Sequence, residues 1–138
     1  MKTVLVGGCF DLLHFGHISF LKAAKAQGDK LIVALESDDN VRKMKGDTRP
    51  IHTQEQRKIM LESLKFVDEV IALPPMNGDR DYYELVRRLK PNVIAITQGD
   101  SMKAKKNEQA DDIGAILLEI PKIHTPSTSQ LAKLLGLE

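Results

Sequence analysis

Four short, near-continuous apolar runs limit what this chain can fold into. They are residues 3–6 (Thr-Val-Leu-Val), 31–35 (Leu-Ile-Val-Ala-Leu), 70–73 (Val-Ile-Ala-Leu) and 93–96 (Val-Ile-Ala-Ile). A strand with one wet face alternates apolar and polar residues; runs without that alternation are expected for strands covered on both faces. A fifth run, 115–120, is broken by Glu119. Helical patterns lie between them. Residues 17–27 form one, ended by Gly28. Residues 54–65 form another, announced by Thr53 and Gln56 at capping-box spacing. Tyr82, Leu85, Val86 and Leu89 make an i, i+3, i+4, i+7 stripe that stops before Pro91. Leu131, Leu134 and Leu135 mark a last short helix, with Pro126 placed at its first turn. Strands alternating with helices predict βαβ units and a mostly parallel α/β sheet.

The sequence of 138 residues contains no repeat, low-complexity tract or linker, and one domain over 1–138 is expected. Residues 43–52 and 74–80 read as its loosest stretches. Twenty basic residues stand against 19 acidic ones, a balance that gives no electrostatic case for nucleic acid or a membrane surface. No apolar stretch nears the roughly 20 residues of a membrane span. Met1-Lys2 runs straight into a short strand, without a signal-peptide pattern, so a cytoplasmic location is expected. The single cysteine, Cys9, fits a reducing compartment and is a poor zinc case; it reads as a small residue packing under a turn.

In an open parallel sheet, ligands dock beyond the carboxyl ends of the strands. Every polar cluster of interest follows a strand. Gly8-Cys9-Phe10-Asp11-Leu12-Leu13-His14-Phe15-Gly16-His17 follows the first and leads into a helix. Ser37, Asp38 and Lys43-Met44-Lys45-Gly46 lie beyond the second. Gln98-Gly99-Asp100 follows the fourth, and Lys122, His124 and Thr125-Pro126-Ser127-Thr128-Ser129 follow the fifth. Two histidines around a glycine on a strand-to-helix turn suit an anion, because the first helical N–H groups are unpaired there. Each cluster also has a structural alternative. Lys43 and Lys45 fit a solvated helix face, Asp100 a helix cap, and Thr125 to Ser129 an N-cap region. Lys103, Lys105 and Lys106 read as surface charge, and His52 and His124 are isolated.

The chain has no GxxxxGK[ST], no GxGxxG and no GxSxG, so P-loop, dinucleotide and nucleophile-elbow chemistry lack support. Transfer between phosphates remains, where a protein mainly positions groups and stabilises charge.

At these residues the chain resembles the cytidylyltransferase-like nucleotidyltransferases, whose GxFDxxHxGH motif is matched from Gly8 to His17 at every fixed position. Lys43 to Pro50 is similar to the segment after the second strand in bacterial heptose-phosphate adenylyltransferases. Gln56-Arg57-Lys58 and Phe66 to Val70 resemble segments of that group and of glycerol-3-phosphate cytidylyltransferases, and Ser127-Thr128-Ser129 resembles the carboxy-terminal IST[ST] signature. The resemblance implies a Rossmann-like three-layer α/β/α sandwich with a five-stranded parallel sheet in the order 3-2-1-4-5. It also implies transfer of a nucleoside monophosphate from ATP or CTP to a phosphorylated small acceptor, with pyrophosphate release and Mg²⁺ carried by the phosphates. Carried over to this chain, His14, His17 and Lys45 would be catalytic. Gly8, Cys9, Phe10, Asp11, Gly16, Asp100, Lys122, Thr128 and Ser129 would join the histidines in binding nucleotide, Lys43 and Arg80 would bind the acceptor, and no metal would be held by protein ligands. A homodimer is expected on the same ground.

Two departures bear on specificity. The cytidylyltransferases usually carry Arg-Thr-Glu-Gly before the Ser-Thr pair, where this chain reads Lys122-Ile123-His124-Thr125-Pro126; the heptose enzymes carry Gly-Gly-Asp-Tyr where this chain has Gln98-Gly99-Asp100-Ser101. Adenylyl transfer to a heptose-phosphate-like acceptor is slightly favoured. A glycerol-3-phosphate-type cytidylyltransferase, an FAD synthetase and a non-catalytic nucleotide-binding module are the alternatives. His14 to His17 with Lys43-Met44-Lys45 also resembles the HIGH and KMSKS signatures of class I aminoacyl-tRNA synthetases, but neither length nor charge leaves room for a tRNA-binding region.

Overall fold

A computed structural model describes residues 1–123 and 128–136. Five parallel strands, β1 (Thr3–Gly8), β2 (Lys30–Leu35), β3 (Glu69–Ala72), β4 (Val93–Thr97) and β5 (Ile116–Ile120), form one sheet in the order β3-β2-β1-β4-β5. This is the expected order, and its reversal point lies between β1 and β4. The unbroken runs are explained by two cores. Val4, Val6, Leu31, Val33, Val93 and Ala95 point to one face, against Leu21 and Ala24 of α1 (Phe15–Lys25) and Leu61 of α3 (Gln54–Glu62). The alternate residues Leu5, Ile32, Ala34, Ile94 and Ile96 point to the other, against Leu85 and Val86 of α4 (Asp79–Leu89) and Ala110 of α5 (Lys103–Ile113). The remaining helices are α2 (Asp38–Lys45) and α6 (Thr128–Leu134). Among the described residues no helix is long and apolar enough to cross a membrane.

The differences from the sequence reading have local causes. α3 ends at Glu62 and not at 65, where the Ser63 hydroxyl donates to the Ile59 carbonyl at 2.8 Å and the chain turns away. α5 gave no apolar period because its buried positions are only Gln109 and Ala110. Residues 43–45, expected in a loose stretch, complete α2, whose Ser37 cap accepts from the Asn40 N–H. The second half of that stretch is firmly held. Arg49 is buried at the cis Arg49-Pro50 bond, and Arg57 of α3 ties the segment to both neighbours. Gln54 then fixes the start of α3 at the carboxyl edge of the sheet, donating to the carbonyl of Leu35, the last residue of β2, at 3.1 Å and to that of Leu73, just past β3, at 2.8 Å.

Candidate active site

The turn after β1 is built around a buried carboxylate. Asp11 accepts from Arg49 Nε at 2.8 Å, from the Ile51 N–H at 2.7 Å and from the His52 N–H at 3.0 Å. Burial works against its charge, but the two backbone bonds and Arg49 outweigh it and hold the carboxyl below its ordinary value. These anchors sustain left-handed backbone at Phe10 (φ 47) and Leu12 (φ 55), each costing roughly 1–3 kcal/mol for a residue with a side chain. Gly8 is required for the same turn: a Cβ there would meet the Phe10 ring at 2.9 Å. The Phe10 ring is buried, edge-on to His17 with centroids 5.6 Å apart.

The chain leaves this turn at His14, the N-cap of α1. His14 Nδ1 accepts the Gly16 N–H at 3.1 Å, and His17 Nδ1 accepts the His14 N–H at 3.2 Å. Each ring spends Nδ1 on a backbone donor, so in a neutral ring the proton sits on Nε2 and that atom becomes the donor available to a ligand. Burial, with the charges of His14 and Lys45, pushes His17 down to about 4; burial lowers His14 as well. At neutral pH this is a pair of neutral donors at a helix N-terminus, their rings 3.9 Å apart. Free imidazole protonates near 6.5, so between that pH and about 4 the unfolded chain takes up a proton that folded His17 refuses. Stability should therefore fall with pH across this window, by roughly 2–3 kcal/mol at its lower end. Urea midpoints at about pH 7 and pH 4.5 check this: His17→Asn should shrink the difference, and an unchanged difference would refute the assignment to His17.

The rings open onto a cleft of about 1080 Å³ at the carboxyl edge of the sheet, spanning the reversal between β1 and β4. Of the residues singled out in the sequence, Gly8, Cys9, Phe10, Asp11, His14, Gly16 and His17 line it from the first turn. Lys45 from α2, Asp100 after β4, Lys122 after β5 and Ser129 of α6 meet them there. Asp100 sits in the turn before α5, whose N-cap is Met102, and also faces the cleft. Its Oδ1 accepts the Met102 N–H at 2.8 Å in the turn before α5, and its Oδ2 takes Lys106 Nζ at 2.7 Å inside the cleft. Cys9 keeps a neutral thiol, raised by burial, 3.8 Å from the Met44 sulfur. Lys43 is exposed on α2 and does not line the cleft; Arg80 does not either, its side chain being 90% exposed and paired with Glu84 on α4. His124, Thr125, Pro126, Ser127 and the Thr128 side chain lie outside the described residues.

Three basic residues at this edge were given no role from the sequence. Lys106 was grouped with surface charge; Lys103 and Lys105 do pair at the surface, with Glu119 and Asp79, but Lys106 turns into the cleft. Arg49 lines the cleft from the segment after α2. Arg57, fully buried, donates to the Cys9 carbonyl at 2.8 Å, the His52 carbonyl at 3.1 Å and Asp38 at 2.7 Å, locking the turn after β1, the segment before α3 and the start of α2 together. The one usable hint was that Arg49 lies inside the Lys43 to Pro50 segment that resembles the heptose enzymes, and Arg57 inside the resembling Gln56-Arg57-Lys58. Among the described residues no cluster of three or more His, Cys, Asp or Glu side chains is placed to hold a metal ion.

A family model described as cytidylyltransferase-like matches residues 5–124. The chain belongs to that family of nucleotidyltransferases. It is 39% identical over 132 residues to the bifunctional protein HldE of Wolinella succinogenes, covering 96% of this chain and 26% of that protein, so it spans about a quarter of that relative's length. It is 38% identical over 135 residues to the FAD synthase of Thermococcus kodakarensis, covering 96% of this chain and 88% of that enzyme. Among solved structures, a lipopolysaccharide core biosynthesis protein from Thermoplasma volcanium superposes with a TM-score of 0.72 at 26% identity, over 91% of this chain and 98% of that one. The pantoate-beta-alanine ligase of Francisella tularensis, at a TM-score of 0.62 and 20% identity over 91% of this chain and 60% of that one, shares the Rossmann-like fold of this cytidylyltransferase-like domain.

Proposed function

We propose that this cytidylyltransferase-like domain transfers a nucleoside monophosphate, adenylyl in preference to cytidylyl, from Mg²⁺-triphosphate to a phosphorylated small acceptor. The acceptor's phosphate oxygen attacks the α-phosphorus, the bond from that phosphorus to the bridging oxygen of the β-phosphate breaks, and pyrophosphate leaves. A phosphate monoester is largely ionised at neutral pH, so the attack needs no general base. The task left to the protein is to hold the phosphates in line and to meet the charge that builds on the oxygens.

The observation that carries this reading is the pair of neutral, Nδ1-anchored histidines that opens α1. Their Nε2–H donors are fixed before substrate arrives, which avoids reorganisation at the moment of reaction; one such donor is worth roughly 3–4 kcal/mol in a transition state. Lys45 supplies a positive charge from α2, and Lys122 and Ser129 line the same cleft from the segment after β5 and from α6. Asp11 and Asp100 are already engaged by Arg49 and Lys106. That donor set suits a magnesium ion that arrives as part of the triphosphate and is held by its oxygens.

Adenylyl transfer is supported by the Lys45-Gly46-Asp47-Thr48-Arg49-Pro50 segment, similar to the heptose-phosphate adenylyltransferases, and favours a sugar-phosphate acceptor. A second reading, with FMN as acceptor, is favoured by the likeness to an FAD synthase over 88% of that enzyme's length. Pyrophosphate release decides among them. Purified protein with Mg²⁺ is given ATP or CTP against heptose 1-phosphate, glycerol 3-phosphate, phosphocholine and FMN. The expected result is release with ATP and one acceptor. Release only with CTP overturns the adenylyl preference, and nucleotide binding without release from any pair overturns the catalytic reading in favour of a binding module.

A further inference from the structure

Arg49 is an unusual arginine for the wall of a cleft, because its side chain is 1% exposed and yet lines the space beside His17 and Lys45. Its Nε is fixed on Asp11 at 2.8 Å, and that carboxylate also takes two backbone N–H groups. The far end of the guanidinium reaches across to α6, where Nη1 stands 3.4 Å from Ser129 Oγ. Ser129 Oγ accepts from Nη1 there, so the guanidinium and the first turn of α6 bring polar atoms side by side to the wall of the cleft. The charge is felt across the cleft: Arg49 contributes to lowering both His17 and Cys9. Lys122, the basic residue after β5, is a point charge on a flexible stem, whereas a guanidinium held at Nε is a pre-set planar fork.

We propose that Arg49 is a phosphate-binding residue, gripping the polyphosphate of the nucleotide between the Asp11 anchor and Ser129. The assignment rests on the nucleotidyl-transfer reading. It gives the segment after α2 a direct part in binding the leaving group, supplied by a residue 38 positions from the carboxylate that orients it.

The test compares wild type with Arg49→Lys, which keeps the charge and loses the fork. Calorimetric titration measures binding of inorganic pyrophosphate, ATP and AMP, with thermal melts alongside. The expected result is that Arg49→Lys weakens pyrophosphate and ATP by about tenfold or more while AMP changes by less than about twofold. A purely structural role would weaken all three together, and that outcome overturns the assignment, as does unchanged pyrophosphate binding. If Arg49→Lys melts too low to titrate, the wild-type chain still decides: the Arg49 Nε–H resonance should shift with pyrophosphate and stay in place with adenosine, and a resonance indifferent to pyrophosphate overturns the proposal. Wild-type protein that binds neither pyrophosphate nor ATP overturns the nucleotide reading together with it, a result distinct from binding that ignores residue 49.

Discussion

His17→Ala is expected to slow nucleotidyl transfer by about 10²–10³-fold, the usual cost of removing one preorganised donor. The loss should fall on kcat, because the donor matters most where charge develops on the phosphate oxygens. The fold should survive. The variant gives up the bond from the His14 N–H to His17 Nδ1, worth about 1 kcal/mol as a helix cap, but it also removes an imidazole held neutral against its ordinary protonation. Single-turnover rates with saturating ATP and acceptor, beside a thermal melt, check both halves. A rate within about threefold of wild type would take the histidine pair out of the mechanism.

The second large effect concerns stability. Asp11→Asn should destabilise the protein by about 3–5 kcal/mol, because it leaves the Arg49 charge buried without its carboxylate. An amide oxygen in the Oδ2 place can still accept from Arg49 Nε and the Ile51 N–H, but the NH₂ then faces the His52 N–H, donor against donor. For a chain of this length the melting temperature should drop by roughly 10 °C or more. The double variant Asp11→Leu with Arg49→Met, which removes both charges, should melt above the single one. A single variant that melts within about 2 °C of wild type would mean that the buried pair does not hold the turn.

What the sequence disclosed and what it hid follow from distance along the chain. The strands were legible because Leu31 to Leu35 and Val93 to Ile96 are covered on both faces, so burial leaves an unbroken apolar record. The histidine pair was legible because the turn and the first helical residues are contiguous, and their geometry is made locally. Arg49 was not. It gains its place through contact with Asp11, and nothing beside it in sequence marks an arginine as buried. Lys106 was hidden for a related reason: in the run Lys103, Lys105, Lys106 only the direction of the helix face separates a cleft residue from two surface ones. α5 escaped detection because its inner face carries an alanine and a glutamine where a stripe of large apolar residues would announce a helix.

The residues between Val41 and Arg49 form an exposed arc pinned at both ends by buried side chains, with Gly46 at positive φ where a side chain would meet only open space. Such an arc works like a handle on a fixed body. Apart from Lys45, which lines the cleft, its exposed side chains can vary without shifting Asp11 or the helix that carries the histidines, since the force that seats them enters at Arg49 and Arg57. Substitutions are therefore cheapest at Lys43, Asp47 and Thr48, which are exposed and stand away from the cleft, so the arc can change its surface while the pair of histidines stays put.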